Sequence, residues 1–348
     1  MPTPEDFYND EQEADTKAKR DNVRLRLKVR QLETRLEQQS SLLNLFDYLD
    51  EAKPKPPKWL NPERPKESHA TLMLLLSDLH FDEVVDLAEM DGLNAYNRDI
   101  ATRRLERWGR HVVKLARHYL SGVRYDGVVL MLAGDTFSGN IHEELKETNA
   151  ALLFQSLLYW VEQLLGALQM LAEEFGKVHV VAVPGNHGRQ TRKPRFKGRA
   201  GDNIDWLLAK LLERDCKHDS RFSFQIPDSF DAWFQVYGRG QLLYHGETGG
   251  GFGIGGIWPP IMRMRAKYAQ VHMAIGKPFE TLWIGHWHQL IATPSLVING
   301  SMKGYDEFAK GHQFVPEPAQ QAMALITPEN GISWQCPVLC ADRVAEGW

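Results

Sequence analysis

Eight residues carry side chains suited to gripping a metal ion or moving a proton, and each follows a short apolar run. Asp78 and His80 follow Thr71–Leu76, Asp135 follows Gly127–Leu132, and Asn186 and His187 follow Val178–Val183. His245 ends a β-rich stretch, and His286 and His288 follow Phe279–Ile284. Carboxylate, amide and imidazole donors without a thiolate suit a divalent ion such as manganese, iron or zinc better than a cysteine-rich structural zinc site. Taken singly, each residue is more often structural than catalytic. As a set, all are expected at turns on one sheet edge, where the loops leaving strand ends collect chemistry. Asp78 and His80, two positions apart, are expected to point the same way on a still extended segment.

The elements that must hold these residues alternate. Thr71–Leu76, Asp126–Leu132 and Val178–Val183 read as buried strands, because each is a continuous apolar run closed by turn residues. Between them, Arg98–Leu120 and Glu143–Phe175 have helical apolar spacing, so the pattern predicts α/β layering. Asn203–Leu212 reads as a short helix, Phe222–Leu243 as β-rich and Met262–Ile275 as a helix. Leu296–Ile298 reads as a strand, and Met323–Ile326 with Ile332–Trp334 as a hairpin around Asn330-Gly331. Seven glycines lie within Gly246–Gly256, at a spacing that matches no nucleotide-binding fingerprint.

Directly after His187 come Arg189, Arg192, Lys193, Arg195, Lys197 and Arg199 without an intervening acid. The whole chain is not basic: 41 Lys and Arg oppose 45 Asp and Glu, for a formal net charge of -4. Binding to a polyanion therefore has to rest on this local run, a candidate substrate-binding loop. Residues 1–15 read as a mobile acidic tail and 16–50 as a helical, coiled-coil segment. Leu25, Val29, Leu32, Leu36, Gln39, Leu43 and Phe46 recur there at alternating spacings of four and three, a seam suited to self-association. Residues 51–69 form a Pro/Lys-rich linker expected to act as an extended spacer. Residues 70–335 form the metal-bearing domain and 336–348 a C-terminal tail. Cys216, Cys336 and Cys340 form no paired framework. The acidic first residues are unlike a secretory leader, and apolar runs such as Leu72–Leu76 are far short of the roughly 20 residues that span a bilayer. A cytoplasmic protein with no membrane partner is expected.

The ordered series Asp78-x-His80, Gly134-Asp135, Gly185-Asn186-His187, His245 and Gly285-His286-x-His288 resembles the calcineurin-like metallophosphoesterase superfamily. The resemblance runs from Thr71 to about Gly300. It implies a four-layer α/β/β/α sandwich, here preceded by the long N-terminal helix, and a site for two divalent ions, manganese foremost, with iron, zinc, nickel or magnesium as other fits. Asp78, His80 and His288 would hold one ion, Asn186, His245 and His286 the other, and Asp135 would bridge them. His187 would face the substrate as the catalytic imidazole. Two departures stand out. Gly188-Arg189 replaces the acid that often continues the Asn-His motif, and His245 is followed rather than preceded by glycine.

With the basic loop, the implied activity is hydrolysis of a phosphodiester, DNA being the first candidate substrate in the manner of the superfamily's nucleases. Asn299-Gly300-Ser301 and Gly304–Phe308 also resemble uncharacterised calcineurin-like proteins of bacteriophages. The alternatives are a nucleotide or protein phosphomonoesterase or phosphodiesterase with the loop as a lid, and a non-catalytic metal-binding interaction protein.

Overall fold

The computed structural model describes residues 22, 24–33, 57–60, 69–249 and 256–347. The chain divides into two compact units, Met1–Lys53 and Pro54–Trp348. In the first, residues 24–33 are helical (α1), with Leu25, Val29 and Leu32 exposed. The remainder of the expected 16–50 helix, the 1–15 tail and the glycines at 250–255 lie outside the described residues.

The strands of the second unit are, in chain order, His69–Leu76 (β1), Arg124–Leu132 (β2), Val178–Ala182 (β3), Phe222–Gln225 (β4), Asp231–Val236 (β5), Arg239–Tyr244 (β6), Thr281–Ile284 (β7), Ile291–Thr293 (β8), Leu296–Ile298 (β9), Gln320–Thr327 (β10) and Gly331–Leu339 (β11). They form a six-stranded sheet ordered β11-β10-β1-β2-β3-β4 and a five-stranded sheet ordered β5-β6-β7-β9-β8. β1 to β4 are mutually parallel, as are β6, β7 and β9. The continuous apolar runs become the central strands because they are buried on both faces. Met73, Leu75, Val129, Met131 and Val181 of the larger sheet pack against Phe234, Val236, Leu243, Trp283 and Val297 of the smaller, forming the core between the sheets. Each such side chain contributes about 1.5–3 kcal/mol on burial.

Helices cover the outer faces. Arg98–Lys114 (α2) starts at Asn97, whose side chain accepts from Ile100 N. Leu153–Phe175 (α4) buries Leu157, Trp160, Val161, Leu164, Leu168 and Leu171, a helical stripe that faces β2 and β3. Ile204–Cys216 (α5) lies beside α4. On the smaller sheet, Trp258–Ala274 (α6) brings Ile261 and Met264 onto Leu242, Tyr244, Leu282 and Ile298. Helices, sheet, sheet and helix thus form the layered α/β arrangement that the alternating pattern predicts.

Three local readings change. The expected continuous helix over 143–175 is broken into Glu143–Thr148 (α3) and α4. Between them the backbone bonds elsewhere: Ala150 N donates to Asp82 O at 2.8 Å and the Asn149 amide donates to Gly139 O at 2.9 Å. Within the proline-rich spacer, residues 57–60 are packed rather than extended, with Leu60 wholly buried and Trp59 lying over Gly127. Here two large apolar side chains outweigh the surrounding prolines. The 336–348 segment also folds: Cys336–Leu339 completes β11, and the short helix Arg343–Glu346 places Glu346 on buried Arg104.

Candidate metal centre

All eight donor residues sit just beyond the carboxyl ends of parallel strands: β1 leads to Asp78 and His80, β2 to Asp135, β3 to Asn186 and His187, β6 to His245, and β7 to His286 and His288. The sheets pack so that these ends meet. The extended reading of the Asp78–His80 segment is corrected. Asp78 (φ 54°) and His80 (φ 47°) are both in the left-handed region, as are Asp135 (φ 50°), His286 (φ 70°) and His288 (φ 53°). Cross-loop bonds hold this conformation: Asp78 N donates to Gly134 O at 3.1 Å, and Leu79 N and His80 N both donate to Asp135 O. Such a backbone costs about 1–3 kcal/mol per residue and is typical of sites that surrounding structure holds in place. Gly134 (φ 82°) is required where it stands, since a Cβ there would meet Gly185 N at 2.2 Å.

The donor atoms gather into three overlapping triads, Asp78/His80/His288, His80/Asp135/His187 and Asp135/His245/His286, each with its atoms within 4.8 Å of one another. His80 Nε2 and His288 Nε2 are 3.2 Å apart, and His288 Nε2 is 3.4 Å from Asp78 Oδ1. His245 Nε2 lies 3.0 Å from both Asp135 Oδ2 and Asn186 Oδ1. Tautomers follow from the partners: His245 Nδ1 donates to Ala133 O and His187 Nδ1 to Ser138 O, both at 2.7 Å, which leaves each Nε2 facing the cluster. Converging imidazole nitrogens and carboxylate oxygens of this kind fit divalent cations.

The electrostatics have the same sense. Burial works against ionisation of Asp78 and Asp135, yet the histidines around them hold Asp78 below the usual carboxylate range and Asp135 well below it. Burial, then the Lys303 charge, brings His80 down to about 4, and burial, then His245, brings His286 down to about 3. Two anions beside two neutral imidazoles leave the site short of positive charge. His245 supplies some of it: burial opposes its charged form, but the Asp135 carboxylate outweighs burial and raises it to about 9.

Several supporting residues escape sequence reading. Glu83 Oε2 is 3.3 Å from His80 Nδ1, and Lys303 Nζ bridges Glu83 (2.8 Å) and Asp306. Ser301 Oγ donates to Asp78 O at 2.9 Å, and His286 N donates to Asp78 Oδ1 at 2.8 Å. His142 stands beside His187, ring centroids 5.8 Å apart. Ser301 and Asp306 do fall in the Asn299-Gly300-Ser301 and Gly304–Phe308 motifs singled out in the sequence, and Lys303 lies between the two, but neither motif gave a hint that they reach back to the loop after β1.

The basic loop divides. Arg189 turns onto its own backbone, with Nη1 donating to Asn186 O at 2.8 Å and Nε to Thr191 O at 3.1 Å. Arg199 pairs with Glu247. Arg192, Lys193, Arg195 and Lys197 are exposed, and Phe196 is 88% exposed between the last two. A cavity of about 340 Å³ runs from Asn186 to Arg195, Phe196 and Lys197.

Stability should depend on pH on both sides of neutrality in the metal-free protein. His80, His286 and buried His179, brought down to about 4 by burial, are neutral in the fold, whereas unfolded histidines titrate near 6.5. Below pH 6.5 the unfolded chain binds more protons, so several kcal/mol are lost as pH falls toward 4. His245 has the opposite sign: its contribution is full below 6.5 and disappears as pH rises through about 9. Calorimetry with chelator present should show the melting temperature falling in both directions. Manganese should remove the alkaline fall, because metal binding displaces the His245 proton. A flat profile from pH 4 to 9 would contradict these assignments.

No family model matches the sequence, and a search of curated proteins gives no match. Among solved structures, the chain is similar to a conserved uncharacterised protein, a predicted phosphoesterase, from Streptococcus pneumoniae TIGR4 (10% identity over 77% of this chain and 97% of that one, TM-score 0.26). It is also similar to a putative 5'-nucleotidase from Staphylococcus aureus in complex with alpha-ketoglutarate (10% identity, 78% of this chain and 55% of that one, TM-score 0.36). A sulfate thiohydrolase from Thermus thermophilus in complex with glycerol is a third (12% identity, 79% and 58%, TM-score 0.29). At these identities and TM-scores they assign neither substrate nor residue roles, and the donor geometry stands without them. Three overlapping triads, joined through His80 and Asp135, form a candidate centre for divalent metal ions.

Proposed function

We propose that the protein hydrolyses a phosphoester of nucleotide size with two divalent ions, manganese first among them. The observation that carries the reading is the convergence of the three triads at the meeting of the two sheets. Asp78, His80 and His288 would hold one ion and Asn186, His245 and His286 the other, with Asp135 between; such a pair supplies Lewis acidity and a water activated at neutral pH. His187, its ring fixed by Nδ1–H donating to Ser138 O, turns Nε2 toward the site, where the ring could donate a proton to the departing oxygen once protonated there, a step worth typically 10²–10⁴-fold. The cavity of about 340 Å³ that reaches Asn186 is in the range that takes a small ligand. Two of the six loop cations are occupied internally, Arg189 by carbonyls and Arg199 by Glu247, which weakens the case for a long polyanion.

DNA remains the second reading, favoured by the exposed Arg192, Lys193, Arg195 and Lys197 around Phe196, an arrangement suited to phosphates with a base stacked beside them. A manganese-supplemented panel of mononucleotides, cyclic dinucleotides, a phosphopeptide, single-stranded DNA and duplex DNA separates the two. Turnover confined to the small esters supports the first reading, turnover of DNA the second, and no manganese-dependent turnover on any of them sinks both. If DNA is bound, neutralising Arg192, Lys193 and Arg195 together should weaken binding and lower its salt slope by about one for each phosphate no longer neutralised. An unchanged slope would remove the loop from that role.

We also propose self-association through residues 16–50, supported by the exposed Leu25, Val29 and Leu32 at heptad spacing. Removing residues 1–50 should lower the number of chains per particle measured by light scattering; an unchanged number ends that proposal.

A further inference from the structure

The residue that ties the metal-bearing loops together lies 17 positions beyond the last of the Gly185-Asn186-Gly188 turn, at Asp205. Asp205 is 5% exposed, on the first turn of α5. Its Oδ2 accepts from Asp135 N at 3.1 Å and Gly185 N at 3.0 Å, and its Oδ1 accepts from Thr136 N at 3.1 Å. One carboxylate therefore gathers three backbone donors from two different loops, those that carry Asp135 and Asn186. Asn203 works alongside: its Nδ2 donates to Gly185 O, and its Oδ1 accepts from Asp205 N, each at 2.8 Å.

Gly188 explains how this carboxylate reaches its place. A Cβ at 188 would lie 2.3 Å from Asn203 Oδ1 and 2.7 Å from Asp205 Oδ2. The space that a side chain at 188 would need is filled from the far end of the basic loop. That loop is closed at the same point, by a bridge between Arg189 and Asn203 and by Ile204 N donating to Gly188 O at 2.8 Å. The departure from the expected acid at 188 is thus filled by an acid from α5.

We propose that Asp205 is a positioning residue of the metal centre, setting the placement of Asp135 against Asn186 and joining it to the closed ends of the 189–202 loop. The proposal rests on the two-metal reading. A neutral amide cannot replace the carboxylate: with three N–H donors to accept, Asn turns its own NH₂ toward at least one of them. Partners of this kind, one bond behind a ligand, typically change metal affinity or activity 10–100-fold.

The test uses the full chain, with Mn²⁺ binding measured by calorimetry and turnover measured on bis(4-nitrophenyl) phosphate. Asp205→Asn should weaken Mn²⁺ binding and lower kcat by roughly 10–100-fold with KM unchanged. Gly188→Ala should act in the same direction while keeping the carboxylate. Gly188 has no positive φ, so alanine there tests space alone and carries the test if Asp205→Asn does not fold. Folded variants with wild-type Mn²⁺ affinity and kcat would overturn the proposal, as would a lower melting temperature with both constants unchanged, the mark of a purely structural role. A wild-type protein that binds no Mn²⁺ would instead overturn the two-metal reading, and this proposal with it.

Discussion

Asp135→Asn is expected to abolish manganese-dependent hydrolysis of a generic phosphodiester while leaving the protein folded. Asp135 belongs to two of the three donor triads, with His80 and His187 on one side and His245 and His286 on the other. It is 2% exposed, its Oδ1 accepts from His187 N at 2.7 Å, and its Oδ2 faces His245 at 3.0 Å. Asparagine keeps the shape but removes the charge that two cations would share and turns an NH₂ toward one of the facing groups. A loss on the order of 10³-fold, or about 4 kcal/mol of transition-state stabilisation, is expected. The fold should survive, because His245 loses the anion that raises it to about 9 and can be buried neutral. Steady-state rates with circular dichroism on the same sample check both halves. Full activity in a folded variant would dispose of a bridging role for Asp135.

The strand ends were legible because chemistry there is written locally: an apolar run, then a turn that carries the donor, with a glycine just before Asp135, Asn186 and His286. Asp78, His80, Asp135, Asn186, His187, His245, His286 and His288 all follow an apolar run in this way, and all converge in space. What escaped is held together over distance. Asp205 is separated from Asn186 by the whole basic loop, and Lys303 from Glu83 by most of the domain, so no spacing rule links either pair. The left-handed backbone at Asp78 and His80 was also hidden, since it depends on bonds to Gly134 O and Asp135 O from another strand. The same cause broke the helix over 143–175, where Ala150 N preferred Asp82 O to a helical partner. Charge in sequence overstated the loop: Arg189 and Arg199 count as cations on paper but are already occupied by carbonyls and by Glu247.

The largest effect on stability is expected at Arg104, far from any motif. Arg104 is fully buried in α2, and its guanidinium donates to Glu346 Oε1 at 3.1 Å and Oε2 at 2.9 Å, to Met302 O at 3.0 Å and Lys303 O at 2.6 Å, and to Asn94 Oδ1 at 2.9 Å. Glu346→Ala leaves that cation buried without its anion and should cost about 3–5 kcal/mol in denaturant titration. Replacing both partners by apolar residues, Arg104→Met with Glu346→Leu, removes the stranded charge and should cost less than Glu346→Ala alone, though the Met302 and Lys303 carbonyls then lose their donor. Those carbonyls lie directly behind the centre: Met302 N donates to Asp78 O, and Lys303 holds Glu83 against His80. Loss of Arg104 should therefore also weaken Mn²⁺ binding at temperatures where the variant is still folded. A Glu346→Ala protein within about 0.5 kcal/mol of wild type, the range of an ordinary surface change, would show that the C-terminal helix is not what secures this side of the fold.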